Sequence, residues 1–410
     1  MTLVATAFKE LKRHIVMNLI TFLELTISVI LVCVMVSAVM IRYKYYEPFS
    51  DVYSSQGLYC EFSVASAKGE NMASMEDFIA DDDIFQYLHS PEMIISSNRA
   101  MAFPLVENES VPCYCYSYND ELIKRYTPNL SDGKWFDNSR SADTLKAVVS
   151  ENEYGWDVGD KIPVTFACNG WDGIIEVEII GKLENGTKLP GIMHSHDGEN
   201  NSNMFFSSYD YKDEKCPLVL FSYSQLNEKK VFQSLYSAMI KYPSDVTGQS
   251  LSDDQRTISS FGSLFSMKLS EINKNSIAYF KVQIYNYLPI IIVVLLLTLV
   301  SSISITALST RQRLKDYGIY YVCGLKWKSC CIVNLFYSLI ITVSSVFCAT
   351  VLMIFSKYIP KLDQTVILWN IWVFISVLLI SILFIIGSMM MPLIIIGKNT
   401  PKEVLAKGGI

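Results

Sequence analysis

IYNYLPIIIVVLLLTLVSSISITALSTRQRLKDYGIYYVCGLKWKSC, residues 284–330, is the stretch on which the fold turns. Its first part, 284–310, holds no charged residue and exceeds the roughly 20 residues that a helix rising ~1.5 Å per residue needs to cross a bilayer. A basic, aromatic run follows, Arg311 to Lys328, broken at Gly324, and from Cys330 the chain is apolar again to Ser356. A span, a polar turn and a second span make a helical hairpin in a membrane.

Working outward, residues 18–41 and 366–397 repeat the pattern, the first with Glu24 as its single acid and the second with no charge at all. The 51% of hydrophobic residues in the 410-residue chain is concentrated in these four stretches. The fold class expected is a membrane protein of four transmembrane α-helices, with a large mixed α/β extracytoplasmic domain inserted between the first and second and joined by a helical stalk. The first stretch is too long for the core of a signal peptide and ends on Arg42, Lys44, Tyr45 and Tyr46 without a small-residue cleavage site, so it reads as a retained span.

The boundaries follow. Residues 1–17 form a cytoplasmic interfacial helix, with Val4, Phe8, Leu11 and Ile15 on one face and Lys9, Lys12 and Arg13 on the other. The spans are 18–41, 284–310, 330–356 and 366–397. Between them lie the extracytoplasmic domain 42–256, the stalk 257–283, the cytoplasmic coupling loop 311–329 and a short external loop 357–365, and the chain closes on a cytoplasmic tail 398–410. Both termini and the coupling loop are placed inside because they hold most of the short-loop Lys and Arg, while the domain is long enough to be translocated despite its own charge.

Split this way, residues 42–283 hold 21 Lys/Arg against 35 Asp/Glu, a net of −14, and the remainder 13 against 5, a net of +8. An acidic exterior suits solubility and also concentrates cationic ligands. Strand candidates are Leu58 to Val64, Lys146 to Ser150, Lys161 to Ala167, Ile175 to Gly181, Leu218 to Ser222 and Leu235 to Ile240. A helix is read over Ser74 to Leu88, and a polar loop over His194 to Asn203. In the stalk, Phe265, Leu269, Ile272, Ile277 and Phe280 recur at helical spacing, with Gly262 and Pro289 as bends.

Catalytic signatures are missing from the sequence. It holds no Gly-Lys-Ser/Thr phosphate loop, no Gly-x-Ser-x-Gly and no His-Glu-x-x-His, and only four histidines, so no catalytic, cofactor-binding or metal-ligating residues are expected. His194, His196 and Asp197 read as loop residues rather than metal ligands, and Cys113 and Cys115 as buried thiols. Five cysteines outside, an odd number, exclude a complete disulfide framework within one chain. Glu24, the one intramembrane acid, must reach either the headgroups or the bundle interior.

The run KDYGIYYVCGL, from Lys315, Asp316, Tyr317, Gly318 and Ile319 to Cys323, Gly324 and Leu325, resembles the FtsX/MacB-like family of ABC transporter permeases at its coupling helix. The tail Pro401-Lys402-Glu403-Val404-Leu405 is similar to the family's terminal Pro-x-Glu-x-Leu, and GKWF (133–136), KAVVSEN (146–152), VGDKIPV (158–164) and VEIIGKL (177–183) to its extracytoplasmic core. Tyr337 departs from the pattern, standing where many members have a glutamate early in the third span. The resemblance implies that the chain is not itself an enzyme and binds no cofactor, ATP being bound and hydrolysed by a separate ABC ATP-binding subunit. It implies a second permease copy or paralogue, membrane lipid around the spans, a bacterial plasma-membrane location, and no nucleic-acid partner. Asp316, Tyr317, Gly318, Gly324, Leu325, Lys326, Trp327 and Lys328 would form the ATPase-coupling surface. The function expected is mechanotransmission to the external domain, exporting or giving resistance to an antimicrobial peptide or similar amphiphile. The rivals are an FtsX-like or lipoprotein-release-type mechanotransmitter, and a membrane-anchored receptor without transport.

Overall fold

A computed structural model describes residues 11, 15–62, 84–137, 144–168, 171–192, 201–208, 215–324, 326–327, 329–356 and 369–407. In chain order it contains α1 (Ile15–Tyr46), α2 (Ser50–Tyr53), β1 (Gly57–Phe62), β2 (Met93–Ala100), β3 (Ala102–Val106), β4 (Glu109–Ser110), β5 (Tyr114–Tyr118), α3 (Asp120–Arg125), β6 (Leu130–Gly133) and β7 (Leu145–Val149). There follow β8 (Lys161–Cys168), β9 (Trp171–Leu183), β10 (Lys188–Pro190), β11 (Phe206–Ser208), β12 (Leu218–Ser222), α4 (Tyr223–Glu228), β13 (Gln233–Lys241), α5 (Gly248–Ser260) and β14 (Ser263–Lys268). The chain ends with α6 (Leu269–Val322), α7 (Ser329–Ser356), α8 (Ile371–Lys398) and α9 (Pro401–Lys407). Two compact units result: residues 1–43 with 280–410, and residues 44–279.

In the first unit α1, α6, α7 and α8 are each long and apolar enough to cross a membrane. Beside an apolar core that includes Leu25, Val29, Ile341 and Phe384, their burial departs from that of a water-soluble bundle. Leu296, Val300 and Phe347 point outward, while Thr298, Ser302, Thr306, Ser338, Thr342, Ser345 and Ser388 are buried. In hydrocarbon an apolar side chain gains nothing by leaving the solvent, whereas a hydroxyl gains a partner by turning inward. Ser28 pairs with Thr298 at 2.8 Å and Ser302 with Ser388 at 2.8 Å, so α6 is tied to α1 and to α8 by hydroxyl pairs. Gly387 lets α8 approach α6 closely, since a Cβ there would meet Leu299 Cδ2 at 3.0 Å. Few residues in the most apolar part of α6 are buried, which leaves that part open to lipid or protein.

The second unit is a mixed sheet in the order β14-β1-β13-β2-β5-β12-β7-β9-β8-β3-β4, with β6 also on β9. The pairs β5/β12 and β7/β9 are parallel and the others antiparallel. Central strands are covered on both faces. On β12, Leu218 and Leu220 enter one core with Tyr59, Tyr118 and Phe205, while Val219 and Phe221 enter another with Val164, Phe166 and Ile179. A strand buried on both sides needs an unbroken apolar run, which is why LVLF reads as it does.

The six strand candidates correspond to β1, β7, β8, β9, β12 and β13. The stalk departs from expectation. Its helix does not run from residue 257: α5 stops at Ser260, Gly262 adopts φ +82°, β14 follows, and α6 starts only at Leu269. Phe265 therefore lies on a strand opposite Glu61 of β1, because the free edge of β1 offers hydrogen bonds that a solvated helix turn there would lack. Pro289 lies inside α6 without ending it, and α6 runs unbroken past residue 310 to Val322, so the first part of the coupling loop is helical. Residues 366–368 of the expected last span lie outside the described residues, and α8 starts at Ile371, where Asn370 Oδ1 accepts from Val373 N at 3.0 Å. Residues 1–10 and 12–14 of the interfacial helix, 74–83 of the Ser74 to Leu88 helix, His194, His196, Asp197 and the loop 357–365 lie outside the described residues.

Candidate functional site

The turn between α6 and α7 is short and tightly bonded. Cys323 N donates to Ile319 O at 3.0 Å and Gly324 N to Tyr321 O at 3.0 Å, and Gly324 takes φ +93°, a left-handed conformation that costs only glycine little. On the far side Ser329 N donates to Lys326 O at 2.7 Å and Cys330 N to Trp327 O at 3.1 Å, starting α7. Lys326 is exposed. Leu325 and Lys328 lie outside the described residues.

Trp327 anchors this turn. The last four carbonyls of a helix have no partner within it, and two of those of α8 are met from elsewhere. Asn399 Nδ2 donates to Ile395 O at 2.7 Å and Trp327 Nε1 to Ile396 O at 2.9 Å. The indole also stands edge-on to Tyr321, with ring centroids 6.3 Å apart, against a small cluster of Tyr317, Tyr320, Cys330, Cys331 and Ile396. Just beyond, Thr400 and Glu403 form a reciprocal cap on α9, Glu403 Oε2 accepting from Thr400 N at 3.0 Å and Thr400 Oγ1 from Glu403 N at 3.3 Å. The tail glutamate thus starts a helix beside the point where the turn is held.

Of the residues expected to couple to an ATPase, Tyr317 and Gly318 are buried and Asp316 is half-buried, while Arg311 and Lys315 are exposed on the opposite side of α6. Tyr317 hydroxyl accepts from Asn334 Nδ2 at 3.0 Å, and the same amide donates to Cys330 O at 3.1 Å. Glu24 is half-buried and its carboxylate hydrogen-bonds Ser301 on α6, one turn below the Ser28–Thr298 pair, so it faces the bundle.

Sequence reasoning passed over Arg313, which it counted with the basic loop residues. It is fully buried, with its guanidinium carbon 4.5 Å from the ring centre of Tyr337. Tyr337 in turn donates from its hydroxyl to Asn18 Oδ1, and Asn18 Nδ2 donates to Leu11 O at 2.7 Å. The available signal was spacing: Ser309, Thr310, Arg313 and Tyr317 fall at intervals of three and four, on one helical face.

In the sheet unit, Cys115 is buried and Cys113 half-buried, and burial, then the neighbouring Cys216, pushes the Cys113 thiol up to about 12. Such a thiol is a poor nucleophile and metal ligand at neutral pH. Among the described residues no group of three His, Cys, Asp or Glu is placed to hold a metal ion.

No protein-family model matches the chain, and no curated protein matches it. Solved structures similar to it include the extracellular domain of the noncanonic ABC-type transporter YknZ from Gram-positive bacteria, at 11% identity over 49% of this chain and 88% of that one, TM-score 0.27. The periplasmic region of MacB from Actinobacillus actinomycetemcomitans is 12% identical over 56% of this chain and 96% of that one, TM-score 0.29. A domain of a putative permease from Porphyromonas gingivalis is 12% identical over 49% and 81%, TM-score 0.26.

Proposed function

We propose that this chain is the permease subunit of a MacB-type ABC transporter, working as a mechanotransmitter in a bacterial plasma membrane. Both termini and the turn at residues 323–328 are cytoplasmic, following the placement of Lys and Arg, and the sheet domain is outside. ATP is bound and hydrolysed by a separate subunit, since this sequence has no phosphate-binding loop.

The observation that carries the reading is α6. One helix of 54 residues starts directly after the last strand of the sheet and ends at the Gly324 turn. At ~1.5 Å per residue it is about 80 Å long. In this reading a push on the indole-anchored turn reaches the domain along α6, the helix that both units share. The turn presents an exposed Lys326, a charge open to steering by a partner of opposite sign, while Trp327 holds the turn from the inside. Outside, the net charge of −14 over residues 42–283 favours a cationic amphiphile such as an antimicrobial peptide as the cargo. A second copy or a paralogue completes the transporter, and the lightly buried α6 supplies surface for it.

The test is purification of the tagged chain from its own membrane, identification of co-purifying proteins, and assay of ATPase activity. A stoichiometric ATP-binding subunit is expected, with ATP hydrolysis that uncouples from transport in the Lys326→Glu, Lys328→Glu double variant. Isolation of an inactive chain without such a subunit, or unchanged coupling in the double variant, would reject the reading.

A further inference from the structure

Arg313 heads the fully buried side chains by size among the described residues, in a segment where Arg311 and Lys315 are exposed. Burying a guanidinium is costly, so a site that keeps one holds it in a defined geometry. Here that geometry is directional at each step. The cation lies over the ring face of Tyr337, an attraction that grows when both groups are out of water. A ring held by its face has its hydroxyl direction fixed in the ring plane, and that hydroxyl donates to Asn18, 319 residues away in sequence. Asn18, itself only 7% exposed, spends its amide donor on Leu11 O at 2.7 Å.

The contacts therefore run from α6, nine residues before its end, through α7 to the start of α1 and the segment ahead of it. Hydroxyls beside them are under-bonded: Ser309, Thr310 and Ser338 are buried, and among the described residues their side-chain oxygens have no hydrogen-bond partner. Ser309 and Thr310 lie one turn before Arg313, and Ser338 adjoins Tyr337. A shift of α6 on α7 would therefore break no side-chain hydrogen bond at these three hydroxyls.

We propose that Arg313 is a positioning residue which, acting through Tyr337 and Asn18, makes the hold on the segment ahead of the first span, at Leu11, depend on the position of the turn between α6 and α7. This rests on the coupling reading of that turn and adds a second output to it. When the turn shifts, Arg313 carries the Tyr337 ring with it, the hydroxyl leaves Asn18, and the hold on Leu11 O is released.

Hydrogen–deuterium exchange of the full chain in lipid nanodiscs tests this without nucleotide or partner. Tyr337→Phe keeps the ring for Arg313 and removes one oxygen, and is expected to speed exchange across residues 11–18 by about tenfold. Arg313→Leu is expected to do the same although Arg313 does not touch Asn18, and to add nothing in an Asn18→Leu background. Trp327→Ala, which frees the turn, should loosen residues 11–18 in the natural sequence and not further in Tyr337→Phe. Unchanged exchange in Tyr337→Phe, or multiplied effects of Arg313→Leu and Asn18→Leu, or no response to Trp327→Ala, would each overturn the proposal. The purification test above fails or succeeds independently, so a missing ATP-binding subunit is not confused with a missing link at Arg313.

Discussion

Replacing Trp327 by Phe keeps an aromatic ring against Tyr321 and Cys330 and removes one donor, the indole N–H that meets Ile396 O at 2.9 Å. Ile396 is 2% exposed, and its carbonyl belongs to the last turn of α8, where the helix supplies no replacement donor. Leaving a buried acceptor unmet costs about 1–3 kcal/mol. At the middle of that range, ~2 kcal/mol, the ratio of anchored to released turn falls by roughly 30-fold. Trypsin reads this ratio directly, because Lys326 lies within the turn. Where opening and closing outpace cleavage, the rate follows the open population, so cutting at Lys326 in the detergent-solubilised chain should be about 30-fold faster in Trp327→Phe. In Trp327→Ala, which also loses the ring packing, it should be faster still. Cleavage of Trp327→Phe at the unmodified rate would mean that the indole bond does not hold the turn, and the anchoring argument would fall.

Gly324 supplies a second check. Its φ is +93° and nothing lies within 4 Å of an added Cβ, so Gly324→Ala costs only backbone strain, about 1–2 kcal/mol, and Gly324→Asn less; a larger loss of thermal stability for Asn than for Ala would contradict this. In the sheet domain His89 Nδ1 lies 2.6 Å from Asp254 Oδ1, whose second oxygen accepts from His89 N at 3.0 Å. The hydrogen bond to Asp254, then its charge, raise the histidine above its ordinary 6.5. A raised folded value makes the contribution complete below 6.5 and lost as pH climbs through the raised value. The thermal midpoint of the full chain should fall over that rise, and His89→Gln should remove the slope; an unchanged slope in the variant would place the titration elsewhere. Glu24→Gln keeps an acceptor for Ser301 and removes the charge, so under the proposed function coupled ATP hydrolysis should persist, and its loss would make the charge itself part of the mechanism.

Legibility from sequence followed how each element is stabilised. Strand β12 was readable because both of its faces are buried and LVLF is apolar throughout, whereas β2 was not, because its centre, Ser96, Ser97 and Asn98, is a polar run that is nonetheless buried. Ser97 is accommodated by Gly191 O at 2.5 Å, on a segment 94 residues away. Strand β14 was read as part of a helix for a related reason: its apolar spacing suits either state, and the choice was made by the edge of β1, about 200 residues earlier. In the turn between α6 and α7, Gly324 and Trp327 stood out locally, but the partner of Trp327 is a backbone carbonyl of α8, which no side-chain pattern announces.

The sequence by itself determined the four spans, since a helix in hydrocarbon satisfies its own backbone and needs only length and apolar side chains. It also determined the split of charge between the short loops and the domain, and the glycine turn between the second and third spans. The tertiary structure alone decided that Arg313 is interior while Arg311 and Lys315 are exposed, that Tyr337 bears on it, and that Asn18 joins that pair to Leu11. These are side-chain contacts between helices up to 319 residues apart. Their geometry depends on how one helix turns its face to another, and packing fixes that where composition does not.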